Sequence, residues 1–184
     1  MKIGNWLGAA AFLFLSACAT GTPLPHEVAY HATLRGDTAS TSTGSKATGD
    51  AQVSVDMDAQ TVDLTLNVSG ITIGQLWDNL VAAPIGPIHF HIYATHDHSA
   101  SDTSALLLPV PFGLAYAPAG DGFTVTVKDY PYAQGAALLG SDKSFVDFVA
   151  ALDSGAVVLN IHTDAFQPGE ISGDVTRAGM THAH

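Results

Sequence analysis

The chain has 184 residues, 47% of them hydrophobic, and a formal net charge of −11 at pH 7. That length suits one domain with short tails, and the acidity leaves no cationic footprint for nucleic acid or for anionic lipid head groups. The single cysteine excludes an intramolecular disulfide.

The N-terminus opens with Met1 and Lys2, runs through apolar residues from Trp6 to Leu15, and reaches "LSAC" at Cys18. The apolar run is too short to cross a hydrocarbon core of roughly 30 Å, so it reads as a secretory signal. A small residue before the lone cysteine makes the segment resemble a bacterial lipobox. The resemblance implies diacylglyceryl transfer to Cys18, cleavage before it, and acylation of the new N-terminus. Two or more acyl chains anchor a protein where one does not. Residues 1–17 are then the signal peptide and 18–27 a linker from the lipidated Cys18. Ala19 stands where an Asp would favour inner-membrane retention, so the expected address is the cell envelope, at the outer membrane or its periplasmic face.

From residue 28 onward the hydrophobic period is mostly two. "VAYHATLR" puts Val28, Tyr30, Ala32 and Leu34 on one face; "AQVSVDM" does the same with Ala51, Val53, Val55 and Met57, and "VDLTLNV" with Val62, Leu64, Leu66 and Val68. Each reads as a strand with one buried and one wet face. The polar "DAQT" between the last two suits an antiparallel hairpin. Residues 37–50, rich in Ser, Thr and Gly, read as an exposed loop. Further strands are expected at 88–93, 105–110, 122–128, 156–163 and 170–176. Within "SDKSFVDFVAALDSG", Phe145, Phe148, Val149 and Leu152 recur at helical spacing, with Ser141 as candidate N-cap and Gly155 as stop. The resulting expectation is an all-β fold, an antiparallel β-sandwich or flattened barrel with one short helix near 141–153. The β domain spans 28–177, and 178–184 form a disordered tail carrying His182 and His184.

Four of the nine histidines fall in "IHFHIYATHDHSA", residues 88–100. On a strand, His89 and His91 point the same way, with Cα atoms roughly 6.6 Å apart, close enough for both rings to reach one ion through bonds of about 2.0 Å. In "VVLNIHT" the same alternation puts Asn160 and His162 on one face. His162 thereby becomes a third candidate ligand, with His96 and His98 available to complete or recruit. Gln167, Pro168 and Gly169 make a reversal, which places Glu170 near His162, where a carboxylate could orient the ring. An all-imidazole set suits copper or zinc better than calcium or magnesium. Structural hydrogen bonding by the same histidines is the competing interpretation.

"GPIHFHIYATHDHSASDTSALLLPV" and "VVLNIHTDAFQPGEISGDV" together resemble the CHRD domain, found in chordin and in exported microbial proteins. The matching residues are His89 and His91, then Asn160, His162, Thr163, Gly169, Glu170, Ile171 and Gly173; "YHATLRGD", "ATGDAQVSVD" and "LTLNVSGI" resemble the family's first half. The resemblance implies an all-β extracellular domain and little about chemistry. In chordin the domain belongs to a protein that binds signalling ligands, which leaves a protein or glycan interaction module as the alternative to a metal-binding one. The chain departs from the family where Ile92 and Tyr93 replace a small Gly and where residues 36–45 lack an acidic Pro-bearing segment. The His-x-His strand with one distant His is also similar to the copper site of Cu/Zn superoxide dismutase. That enzyme would require a bridging His and an Arg near the metal. Beyond the signal, only Arg35 and Arg177 supply guanidinium groups, neither close in sequence to the histidine cluster. Catalysis is therefore the weaker reading, and no hydrolase elbow, phosphate loop or zincin helix is present.

Overall fold

The computed structural model describes residues 26–38, 41–94 and 104–179. The signal segment, Cys18, His96, His98, His182 and His184 lie outside them. The strands are β1 (Glu27–Arg35), β2 (Asp37–Thr38), β3 (Thr41–Ser42), β4 (Thr48–Asp56), β5 (Thr61–Ser69), β6 (Ile88–Ile92), β7 (Ala105–Val110), β8 (Tyr116–Ala119), β9 (Gly122–Pro131), β10 (Val157–Ile161), β11 (Ile171–Asp174) and β12 (Thr176–Arg177). Three short helices interrupt them: α1 (Asp78–Val81), α2 (Tyr132–Leu139) and α3 (Phe145–Ser154). Among the described residues no helix is long and apolar enough to cross a membrane.

Strand alternation builds one curled antiparallel sheet, a half-barrel, in the order β7-β6-β10-β11-β1-β4-β5-β9-β8, with β12 also on β1. The all-β expectation holds, in the barrel-like form. β1, β4 and β5 alternate strictly between buried and wetter residues, so Tyr30, Leu34, Val53, Leu64 and Leu66 enter the core while the opposite face meets solvent. β10 differs, because all five of its residues are buried. Its core face carries Val157, Leu159 and Ile161; its other face, with Asn160, is covered as well. This double burial sets up the polar pocket described below.

Within 37–50, residues 37–38, 41–42 and 48–50 form strands where a loop is expected. β2 and β3 pair as a small hairpin, whose Thr38 hydroxyl bonds the Ser172 hydroxyl of β11, and β4 begins at Thr48. β8 and α2 have no counterpart among the expected elements, because "YAPA" and "YAQGAALL" show neither strict alternation nor a clear helical stripe.

The expected helix forms as α3, starting later than Ser141. Ser144 is the N-cap: its hydroxyl accepts from the Asp147 amide at 3.2 Å, and the Asp147 carboxylate accepts from the Ser144 amide at 2.8 Å. This reciprocal pair satisfies two otherwise unbonded donors, which Ser141 cannot do from three residues upstream. Gly155, with φ of 72°, ends the helix in a left-handed conformation. Phe148 and Leu152 are buried from the predicted stripe. Ser144→Ala is expected to lower unfolding stability by about 1 kcal/mol, measured by urea denaturation, with the fold unchanged by circular dichroism.

Candidate metal centre

Three histidines converge on the covered, non-core face of the sheet. β6 and β10 run antiparallel with Asn160 opposite His89 and Val158 opposite His91. The pairing continues past β10, where the His162 amide donates to the Pro87 carbonyl at 2.9 Å. Because side chains alternate, His89, His91, Asn160 and His162 share one face. In β7, the register shift between Phe90 and His91 leaves Leu107 as an extra residue beside the site, a bulge of the kind that re-aims neighbouring side chains.

His89 and His162 are buried and His91 is partly so. His89 Nδ1 lies 3.1 Å from His162 Nε2, and the ring centroids of His89, His91 and His162 are 4.9 to 5.8 Å apart. One nitrogen from each ring can be chosen so that all three lie within 4.8 Å of one another. Bonds of about 2.0 Å to a shared ion require separations of about 4 Å or less. The widest separation exceeds this by less than an ångström, and the His89 Nδ1–His162 Nε2 contact is a hydrogen bond that an entering ion replaces.

The hydrogen bonds determine which nitrogens are bare. His162 Nδ1 is 2.7 Å from the Gln167 carbonyl oxygen. That oxygen can only accept, so Nδ1 carries the hydrogen and Nε2 presents its lone pair to the site. His89 Nδ1 then donates to it, and His89 Nε2 is buried with no well-aligned partner among the described residues, the Gly86 and Ile85 backbone lying near the ring. His91 Nδ1 lies 3.3 Å from the Ser104 hydroxyl, and its Nε2 is likewise unpartnered. Orphaned buried polar atoms are uncommon and call for an explanation such as an ion.

Burial, followed by repulsion from a charged His162 and then a charged His91, pushes the His89 pKa down to about 3. Burial and His162 push His91 down to about 4. Burial lowers His162 as well, while its bond to the Gln167 carbonyl works the other way. All three rings are therefore neutral at pH 7, as ligation requires.

The expected role of Glu170 needs correction. Its carboxylate accepts from the Ser45 hydroxyl at 2.6 Å and the Thr163 hydroxyl at 2.8 Å, and the ring of His162 is oriented by the Gln167 carbonyl instead. Glu170 ties the segment after β3 to the reversal that carries this carbonyl. Asn160 does stand beside the histidines, its Nδ2 donating to the Pro168 carbonyl at 3.2 Å. Consecutive carbonyls of one turn thus hold the ring and the amide. Gln167 and Pro168 escape detection from sequence because they act through backbone atoms; Ser104 carries no distinguishing signal either.

The same turn depends on Gly169. Its φ is 133°, and a Cβ there would collide with the Asn160 amide. Gly169→Ala is expected to cost about 1–3 kcal/mol, read as a lower midpoint in chemical denaturation. The two guanidinium groups lie in other contacts, Arg35 on Asp37 and Arg177 on Asp153.

No curated protein and no solved structure matches the chain significantly. Residues 30–175, from the second half of β1 to the end of β11, match the CHRD domain profile. This span contains every residue of the triad and of the turn that holds it, so the chain belongs to the CHRD domain family.

Proposed function

We propose that this chain is an exported, lipid-anchored CHRD protein that binds a transition-metal ion through His89, His91 and His162. One observation carries the reading: three neutral imidazoles, two from β6 and one just past its partner β10, meet in a covered pocket, with buried Nε2 atoms on His89 and His91 that have no well-aligned partner among the described residues. Leaving such atoms unpaired costs about 1–3 kcal/mol each, and a cation accepts their lone pairs. Three nitrogen donors suit Cu(II) or Zn(II) and not Ca or Mg, and the intrinsic order of affinity favours copper. Support for the anchor, and for the cell-envelope address that goes with it, is the Leu15-Ser16-Ala17-Cys18 sequence alone. His96 and His98, close to His91 in sequence, serve in this reading to recruit the ion to the three-histidine site.

The test is calorimetric titration of chelator-treated protein with Cu(II) and with Zn(II). One ion per chain is expected, with binding lost in His89→Ala. Failure to bind either ion at micromolar concentration overturns the metal reading and leaves the histidines as hydrogen-bonding residues of an interaction module.

A further inference from the structure

A third buried polar group on the histidine face, after the Nε2 atoms of His89 and His91, lacks a partner among the described residues. Asn160 is 2% exposed, and its Oδ1 makes no hydrogen bond. The amide orientation is constrained, because Nδ2 donates to the Pro168 carbonyl and a flip would set two acceptors against each other. Gly169 packs directly on the amide, and so closes off that side. Asn160 is the cross-strand partner of His89 and lies two residues before His162 on the same face. Side chains so related have Cβ atoms roughly 4.5–5.5 Å apart across the strands. An unpaired acceptor thus shares the sheet face that carries the three ligand rings, and three protein donors leave a tetrahedral ion one position short.

Resting on the metal reading above, we propose that this remaining position is kept for a small exchangeable ligand bearing hydrogen, water in the resting protein, which binds the ion through its oxygen and donates to Asn160 Oδ1. The centre is then an open one that selects its fourth ligand by hydrogen-bond polarity. A ligand that donates is retained, and an anion with only lone pairs leaves Oδ1 buried and unpaired.

Azide distinguishes the cases, because its coordinated form has no hydrogen to donate. Copper(II)-loaded full-length protein is titrated with sodium azide, following the azide-to-copper absorption band and the EPR spectrum, in wild type, Asn160→Leu and Asn160→Asp. Removing the acceptor in Asn160→Leu removes the penalty, so azide should bind about tenfold more tightly than in wild type, or more. Asn160→Asp retains an acceptor and adds charge, so its azide affinity should fall below wild type. Copper affinity is measured for each variant so that azide is titrated at full copper loading. Equal azide affinity in wild type and Asn160→Leu overturns the proposal. So does a large loss of copper affinity in Asn160→Leu, which would make Oδ1 itself a ligand. Should the Leu variant not fold, an Asn160→Asp protein with unchanged or stronger azide binding overturns it equally. Absence of copper binding by wild type overturns the metal reading and this inference with it, and that result is distinct from copper binding with azide behaviour indifferent to residue 160.

Discussion

His162→Ala is expected to weaken Cu(II) binding by more than about 100-fold, beyond the range typical of partners that merely orient a ligand. Of the three rings, this is the one supplied from outside β6, and its Nε2, which carries no hydrogen, accepts from His89 Nδ1 at 3.1 Å. Without it, His89 and His91 remain as two rings on one strand, and two imidazoles do not enclose an ion. Competition against a chromophoric chelator of known affinity measures the loss, with circular dichroism confirming that the sheet persists. His31→Ala is the control. His31 lies on β1, where Thr176 is its neighbour at 3.4 Å, so copper affinity there should match wild type. A His162→Ala protein within tenfold of wild type would remove the three-histidine centre.

How far the site can be read from sequence depends on which forces place each group. The convergence of His89, His91 and His162 follows from period-two alternation on two strands, and their pairing register then brings the third ring to the other two. Alternation alone does not say that this face is covered. In β1, β4 and β5 the equivalent face meets solvent, and the burial that keeps the imidazoles neutral arises only where segments from elsewhere in the chain close over β6, β10 and β11. Thr43 belongs to one such remote segment: its hydroxyl donates to the Glu170 carbonyl, just before β11, at 2.8 Å from 127 residues away. A Ser- and Thr-rich stretch reads as a loop because the partners of its hydroxyls are remote in sequence.

Glu170 illustrates the opposite error. A carboxylate near a candidate ligand suggests a pairing by chemistry, yet the direction of a side chain at a turn depends on backbone angles that composition does not report. Here Ser45 and Thr163 take both carboxylate oxygens, and the backbone of Gln167 orients His162. In α3 the apolar stripe gives the correct buried face, while the start shifts from Ser141 to Ser144. Two serines were available in sequence, and only the one with an acidic residue three positions on completes the reciprocal cap.

Metal-free protein is expected to lose stability as pH falls from about 6.5 towards 4, while the folded site keeps its metal affinity across the upper part of that range. An unfolded chain protonates histidine near pH 6.5; in the folded chain His89 is held down to about 3 and His91 to about 4. Between those values the unfolded state binds more protons, so unfolding stability increases with pH. The contribution of the neutral rings is fully present above about 6.5, declines as pH falls through the window, and levels off below the folded values. For His89 alone the loss at pH 5 is on the order of 2 kcal/mol. Urea titrations of chelator-treated protein at pH 7.5, 6.0 and 5.0 should therefore give falling midpoints with an unchanged denaturant slope, and His89→Gln should flatten the trend. Metal binding to the folded protein behaves differently. Ligands with ordinary values would compete with protons as soon as pH drops below 6.5, whereas His89 and His91 are already deprotonated there and burial lowers His162 in the same direction. Cu(II) affinity measured at pH 7.5 and 6.0 should agree within a few-fold after correction for buffer binding. A steep fall over that interval, of the size expected when three ordinary imidazoles compete with protons, would mean that the ions are held by exposed histidines and not by the triad.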